Sequence, residues 1–190
     1  MRRIVAWRLW VCITLAALVA SSFGPVATPA QAKVVHSREE ALTLAFPDAE
    51  RVETRAFSLT EEEVKRVATL ATTPMEARQA TVYVGYKGAQ VLGYAFLETQ
   101  TVRTLPATFL IVLSPTGVVQ RVLVLAFHEP EDYLPLERWL RQFEQKTLTP
   151  ELQLHRDIHG IAGATLSAQA VNGAVRQALA LFHVLIQERQ

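Results

Sequence analysis

Apolar residues recur with a period of two from Ala80 onward. Val82, Val84 and Tyr86 alternate with Tyr83 and Gly85, and Lys87-Gly88 reads as a tight turn. Val91 to Leu97 is the returning strand, and Thr99 to Thr104 reads as a third. Phe109 to Leu113 is a continuous apolar run, which predicts a central strand. Ser114-Pro115-Thr116-Gly117 is a turn, and Val118 to Phe127 is the next strand. The pattern predicts a meander of four or five antiparallel strands, not an alternating βαβ series.

Helical periods flank this block. Ser37-Arg38-Glu39-Glu40 has capping-box spacing before Ala41, Leu42, Leu44, Ala45 and Phe46, and Pro47 ends that short helix. Thr60-Glu61-Glu62-Glu63 repeats the device before Val64, Val67, Ala68 and Leu70. The three glutamates suit a helix's first turn and need no metal to explain them. Leu136 to Phe143 carries Leu136, Trp139, Leu140 and Phe143 on one helical face, with Trp139 and Phe143 assigned to the core. The last helix is predicted from about Ala168 to Ile186, with Val171, Val175, Leu179, Phe182 and Ile186 as its stripe. The fold class expected is α+β, a twisted antiparallel sheet packed against a C-terminal helix with smaller flanking helices.

The first 32 residues stand apart. Arg2, Arg3 and Arg8 precede the apolar run Leu9 to Val19, and Ala30-Gln31-Ala32 supplies small residues for cleavage. This reads as a secretory signal cut after Ala32, giving an exported, periplasmic protein. An uncleaved membrane anchor is the lesser reading, because Ser21, Ser22, Gly24 and Pro25 soon break the run. The segments expected are the leader at 1–32, a helical segment at 33–79 and the main domain at 80–190. Cleavage would remove Cys12, the only cysteine, and with it any thiolate nucleophile or ligand. It would also reduce 19 Lys+Arg by three, to 16 against 18 Asp+Glu. That balance offers no basic patch for nucleic acid.

Chemistry concentrates in His159 to Ser167, His-Gly-Ile-Ala-Gly-Ala-Thr-Leu-Ser. Gly160 and Gly163 free the backbone, and Ala162 and Ala164 leave room for close approach. Thr165 and Ser167 put hydroxyls at a helix start, with Ser167 expected as N-cap. Free N–H groups and the helix dipole make this a candidate phosphate seat. No Lys-Ser/Thr pair follows the glycines, so it is not a Walker A loop, and the dinucleotide spacing is absent.

Gly163-Ala164-Thr165-Leu166-Ser167 before an alanine- and valine-rich helix resembles the FMN-binding domain family. That family includes the extracytoplasmic flavin subunits of the Rnf and Nqr redox complexes and the flavin domain of nitrous-oxide reductase regulators. Its pattern is Asp-x-x-Ser/Thr-Gly-Ala-Thr-x-Ser/Thr, and the order of elements over roughly 80–185 is similar too. This chain has His159 in place of the Asp and Ala162 in place of the Ser or Thr. The resemblance implies FMN bound covalently by a phosphoester to Thr165, attached from FAD by a flavin transferase with magnesium. It implies electron transport with a membrane-bound redox protein, quinone- or haem-linked, rather than turnover of a small substrate. Gly163, Ala164, Leu166, Ser167, His159, Glu129 and Tyr133 are the further cofactor-binding candidates; Glu129 has the second reading of a solvated loop residue, and Tyr133 either stacks on the ring or covers the core edge. No residue is assigned to catalysis or to a metal. Arg103 has two readings, a cation for a phosphate or a charge on a strand's solvent face. Non-covalent FMN at the same seat and an accessory or sensing module without flavin remain open.

Overall fold

The computed structural model of the chain describes residues 33–189. The expected leader, with its cleavage site and Cys12, lies outside them. The elements in chain order are β1 (Lys33–Val34), α1 (Arg38–Ala45), β2 (Arg51–Ser58), α2 (Glu61–Ala71), β3 (Gln79–Lys87), β4 (Gln90–Thr101), β5 (Pro106–Leu113), β6 (Val119–Phe127), α3 (Glu137–Leu140) and α4 (Thr165–Phe182).

The meander β3 to β6 forms the middle of one sheet, ordered β1-β6-β5-β4-β3-β2, with every pairing antiparallel. Each strand is two-faced because side chains alternate. One face presents Val82, Val84, Phe96, Phe109 and Ile111 to Val171, Ala174, Val175 and Ala178 of α4, all buried. Burying each of the larger of these side chains stabilises the fold by about 1.5–3 kcal/mol. The alanines of α4 let it lie close to β4 and β5, and α2 packs beside it. The other face carries a smaller cluster, Ala41, Phe46, Tyr83, Ala95, Leu110, Val112 and Leu125. There α1 and its following turn carry the chain across the sheet. Gly85 is required at the crossing, because a side chain there would meet the Phe46 ring at 2.6 Å.

Of the two sites with capping-box spacing, Thr60–Glu63 forms the full box and Ser37 caps its helix in one direction only. The Ser37 hydroxyl accepts from the Glu40 N–H at 3.1 Å, and Thr60 and Glu63 cap each other reciprocally. Three differences have physical causes. The expected third strand at Thr99 to Thr104 is instead the last residues of β4, paired with β5 as far as Thr101↔Pro106, and the turn that follows them. The change to polar side chains there resembles a boundary, but backbone pairing continues through it. Segment 33–79 contains both edge strands, β1 and β2, besides its helices; β2 has Arg51, Glu53 and Arg55 on one row, so it lacks an apolar period. Helix α4 starts at Thr165, three residues before Ala168, and ends in a π turn at His183–Gln187. No described helix is long and apolar enough to cross a membrane.

Candidate functional site

Three pieces of chain meet at the N-terminus of α4. Val102 and Arg103 come from the β4–β5 turn, Glu129 and Tyr133 from the segment after β6, and Gly163 to Ser167 from the loop entering the helix. Together they line a cleft of about 270 Å³. Two larger hollows, of about 550 and 490 Å³, lie elsewhere and contain none of the residues read as chemical from the sequence motif.

Gly163 sets the turn into the helix. Its φ is +78°, which favours glycine, and a side chain there would meet nothing within 4 Å. The chain enters the helix at once: Ala164 is the N-cap, and the first bond runs from the Ala168 N–H to the Ala164 carbonyl at 3.1 Å. Ser167 therefore does not cap the helix as expected. Capping needs extended backbone at the serine, and here it is already the third helical residue. No side chain caps α4, so the N–H groups of Thr165, Leu166 and Ser167 face the cleft end unsatisfied within the helix.

Two hydroxyls flank this terminus differently. Thr165 is exposed, and its Oγ1 makes no hydrogen bond among the described residues. Ser167 is 1% exposed, and its Oγ is buried without a partner. A buried hydroxyl of that kind is costly unless something bonds to it. An anionic oxygen seated at the helix terminus would satisfy it and the free N–H groups together. The residues present therefore fit the phosphate end of FMN.

Glu129 organises the opposite wall. Its Oε1 accepts from the N–H groups of Arg103, Thr104 and Leu105 at 3.1, 2.8 and 2.9 Å. Those backbone bonds, Thr104's foremost, hold its carboxyl below the ordinary carboxylate range. His128 fastens the same junction, its Nδ1 lying 2.9 Å from the Pro106 carbonyl. Glu129, expected from the sequence as a flavin contact, lines the cleft while bonded to backbone. Tyr133, on a single 3₁₀ turn, is 40% exposed, and Leu166 in the same lining is 45% exposed.

His159 is not among the lining residues. Its backbone is anchored instead, the N–H to Gln142 Oε1 at 2.9 Å and the carbonyl receiving Trp139 Nε1–H at 2.8 Å. Trp139 was expected in the core; it is half-buried, stacked edge-on to the fully buried Phe143, and it fixes the start of the glycine loop. Its indole donor, which needs a partner when covered, was the sequence signal for that role. Arg103, left between two readings by the sequence, stands on the cleft wall. Among the described residues no group of three or more His, Cys, Asp or Glu could hold a metal ion.

The comparisons agree with this geometry. The FMN-binding domain family matches residues 77–180, a span that contains every residue lining the cleft. The fold is similar to the crystal structure of Shewanella oneidensis NqrC, with a TM-score of 0.53 and 12% identity, over 80% of this chain and 89% of that one. None of the curated proteins matches the sequence. With more than half of its length matched, the chain belongs to the FMN-binding domain family.

Proposed function

We propose that the chain is an exported flavoprotein that passes electrons through FMN joined by a phosphoester to Thr165, serving a membrane redox chain. The observation that carries this reading is the exposed, unpartnered Thr165 hydroxyl beside the buried, unpartnered Ser167 Oγ at the uncapped terminus of α4. A flavin transferase would move the FMN part of FAD onto Thr165 Oγ1, with AMP as the other product. FMN supplies the redox chemistry when bound; the protein supplies position and electrostatics.

Each residue has a separate task. Gly163 and Ala164 keep the approach to Thr165 clear. The Thr165 to Ser167 N–H groups and Ser167 Oγ hold the phosphate oxygens. Tyr133 and Leu166 offer apolar surface to the ring. The cleft is small for a ligand the size of a flavin, so part of the flavin stays at the surface. That suits electron exchange with a docked membrane protein, quinone- or haem-linked, and the fold likeness to NqrC supports such a partner. A covalent bond would also retain the flavin after export.

Intact-mass spectrometry of the exported protein, produced with a flavin transferase beside Thr165→Ala, tests the reading. The expected result is a chain beginning at Lys33 with an FMN-sized increment that the variant lacks. An increment that persists in Thr165→Ala would move the attachment elsewhere. Flavin released only on denaturation would leave FMN bound non-covalently at the same seat. No flavin of either kind would leave an accessory or sensing module.

A further inference from the structure

We infer that Arg103 is the cation that faces the negative charge of the bound flavin, and that Glu129 is the positioning residue that holds it there. The inference rests on the flavoprotein reading above. Of the residues lining the cleft, Arg103 and Glu129 are the ones with charged side chains. The carboxylate is not free to meet a ligand on equal terms, because one oxygen already receives three backbone N–H groups. The guanidinium is different: its charge helps to lower the Glu129 carboxyl, but it makes no hydrogen bond among the described residues, and it is exposed in the cleft lining.

The backbone explains why the arginine stands there. The β4–β5 turn closes with the Val102 N–H bonded to the Leu105 carbonyl at 3.0 Å. Its next three N–H groups converge on Glu129, and the neighbouring His128 N–H bonds to the Pro106 carbonyl at 3.2 Å. The turn is therefore fastened at both ends and at its centre. Arg103 stands on a backbone fastened by these bonds rather than on a free loop, and its side chain lines the cleft. Such a placement matters most for the reduced flavin. Two electrons and one proton, from dithionite and water in a titration, add one negative charge to it. A nearby fixed cation favours that form over the oxidised one.

The test is a potentiometric dithionite titration of the flavin-loaded protein, compared with loaded Arg103→Gln and Arg103→Lys. Arg103→Gln is expected to disfavour the reduced form about tenfold, a fall of about 30 mV for a two-electron couple. Raised salt should shrink that difference, and Arg103→Lys should recover most of it. In a Glu129→Ala background the same Arg103→Gln step should be smaller, and amide exchange at residues 103–105 should be faster. An unchanged potential in loaded Arg103→Gln overturns the role of Arg103 while leaving the flavoprotein reading standing. A full-sized step in the Glu129→Ala background overturns the positioning role. A wild-type chain that carries no flavin overturns this inference and the flavoprotein reading together.

Discussion

Glu98 shows how far a single side chain can depart from its surroundings. It lies on β4 between Phe96 and Gln100, on the face that α4 covers, and it is buried. Its side chain makes no ion pair or hydrogen bond among the described residues. Burial pushes its carboxyl up to about 8, so it is protonated in the folded protein at neutral pH. The unfolded chain ionises it near 4.5. Between those values the folded state holds a proton that the unfolded state has lost, so stability falls as pH rises. The contribution is full below pH 4.5 and is lost through pH 8. It amounts to about 3 kcal/mol between pH 5 and pH 8. Glu98→Gln should abolish that slope, read as urea midpoints across the range; a slope that persists would place its cause in another group. Gly163 is the residue-scale counterpart at the site. Gly163→Ala should cost about 1–2 kcal/mol through its positive φ, measured by the same unfolding, since no neighbouring atom would obstruct the methyl group.

At the scale of elements, Arg176 links parts that sequence reasoning kept separate. It is buried within α4, and its guanidinium donates to the Leu70 and Ala71 carbonyls at the end of α2 at 3.0 and 2.7 Å. It also reaches the Thr149 and Leu152 carbonyls, at 2.8 and 3.0 Å. A cation at a helix C-terminus is favoured by the dipole, and here it also ties down the loop that precedes the glycine motif. Arg176→Met would leave four carbonyls without this donor, so a loss of about 3 kcal/mol or more is expected in urea unfolding. Arg176→Lys should recover only part of it, because an ammonium cannot span the same fork. A loss under about 1 kcal/mol in Arg176→Met would mean that water serves those carbonyls equally well. Nothing in the sequence marked Arg176, because its partners are backbone groups far away along the chain. The same limit hid β2, whose charged edge has no apolar period. Where one face is apolar, as in β3, β5, β6 and α4, the elements were legible. The Ser37 cap and the Thr60–Glu63 capping box were legible because their partners lie three residues apart.

At the scale of the molecule, α4 joins the site to the rest of the fold. Its N-terminus forms the cleft, its middle covers the sheet, and the chain beyond it is held to α2 by Arg66–Glu188 and Glu63–Arg189. The site was legible to the extent that its parts were local. Gly163 to Ser167 are consecutive, and their meeting at one helix entry could be read directly. Arg103 reaches the cleft only because Glu129, 26 residues away, gathers the turn that carries it, and a linear pattern gives no measure of that. This architecture also separates covalent from dissociable FMN by bulk behaviour. A ligand bound reversibly to the folded state adds stability that depends on its free concentration, about 2.7 kcal/mol at a hundred times its Kd. Dilution would remove that gain, and added FMN would restore it. Flavin joined to Thr165 remains attached in the unfolded chain, so mass action has no hold on it. The melting temperature of the loaded protein should therefore be independent of protein concentration and of added FMN. A midpoint that falls on dilution and rises again with added FMN would identify dissociable cofactor, because the cleft would then hold the flavin only through the helix terminus and the walls around it.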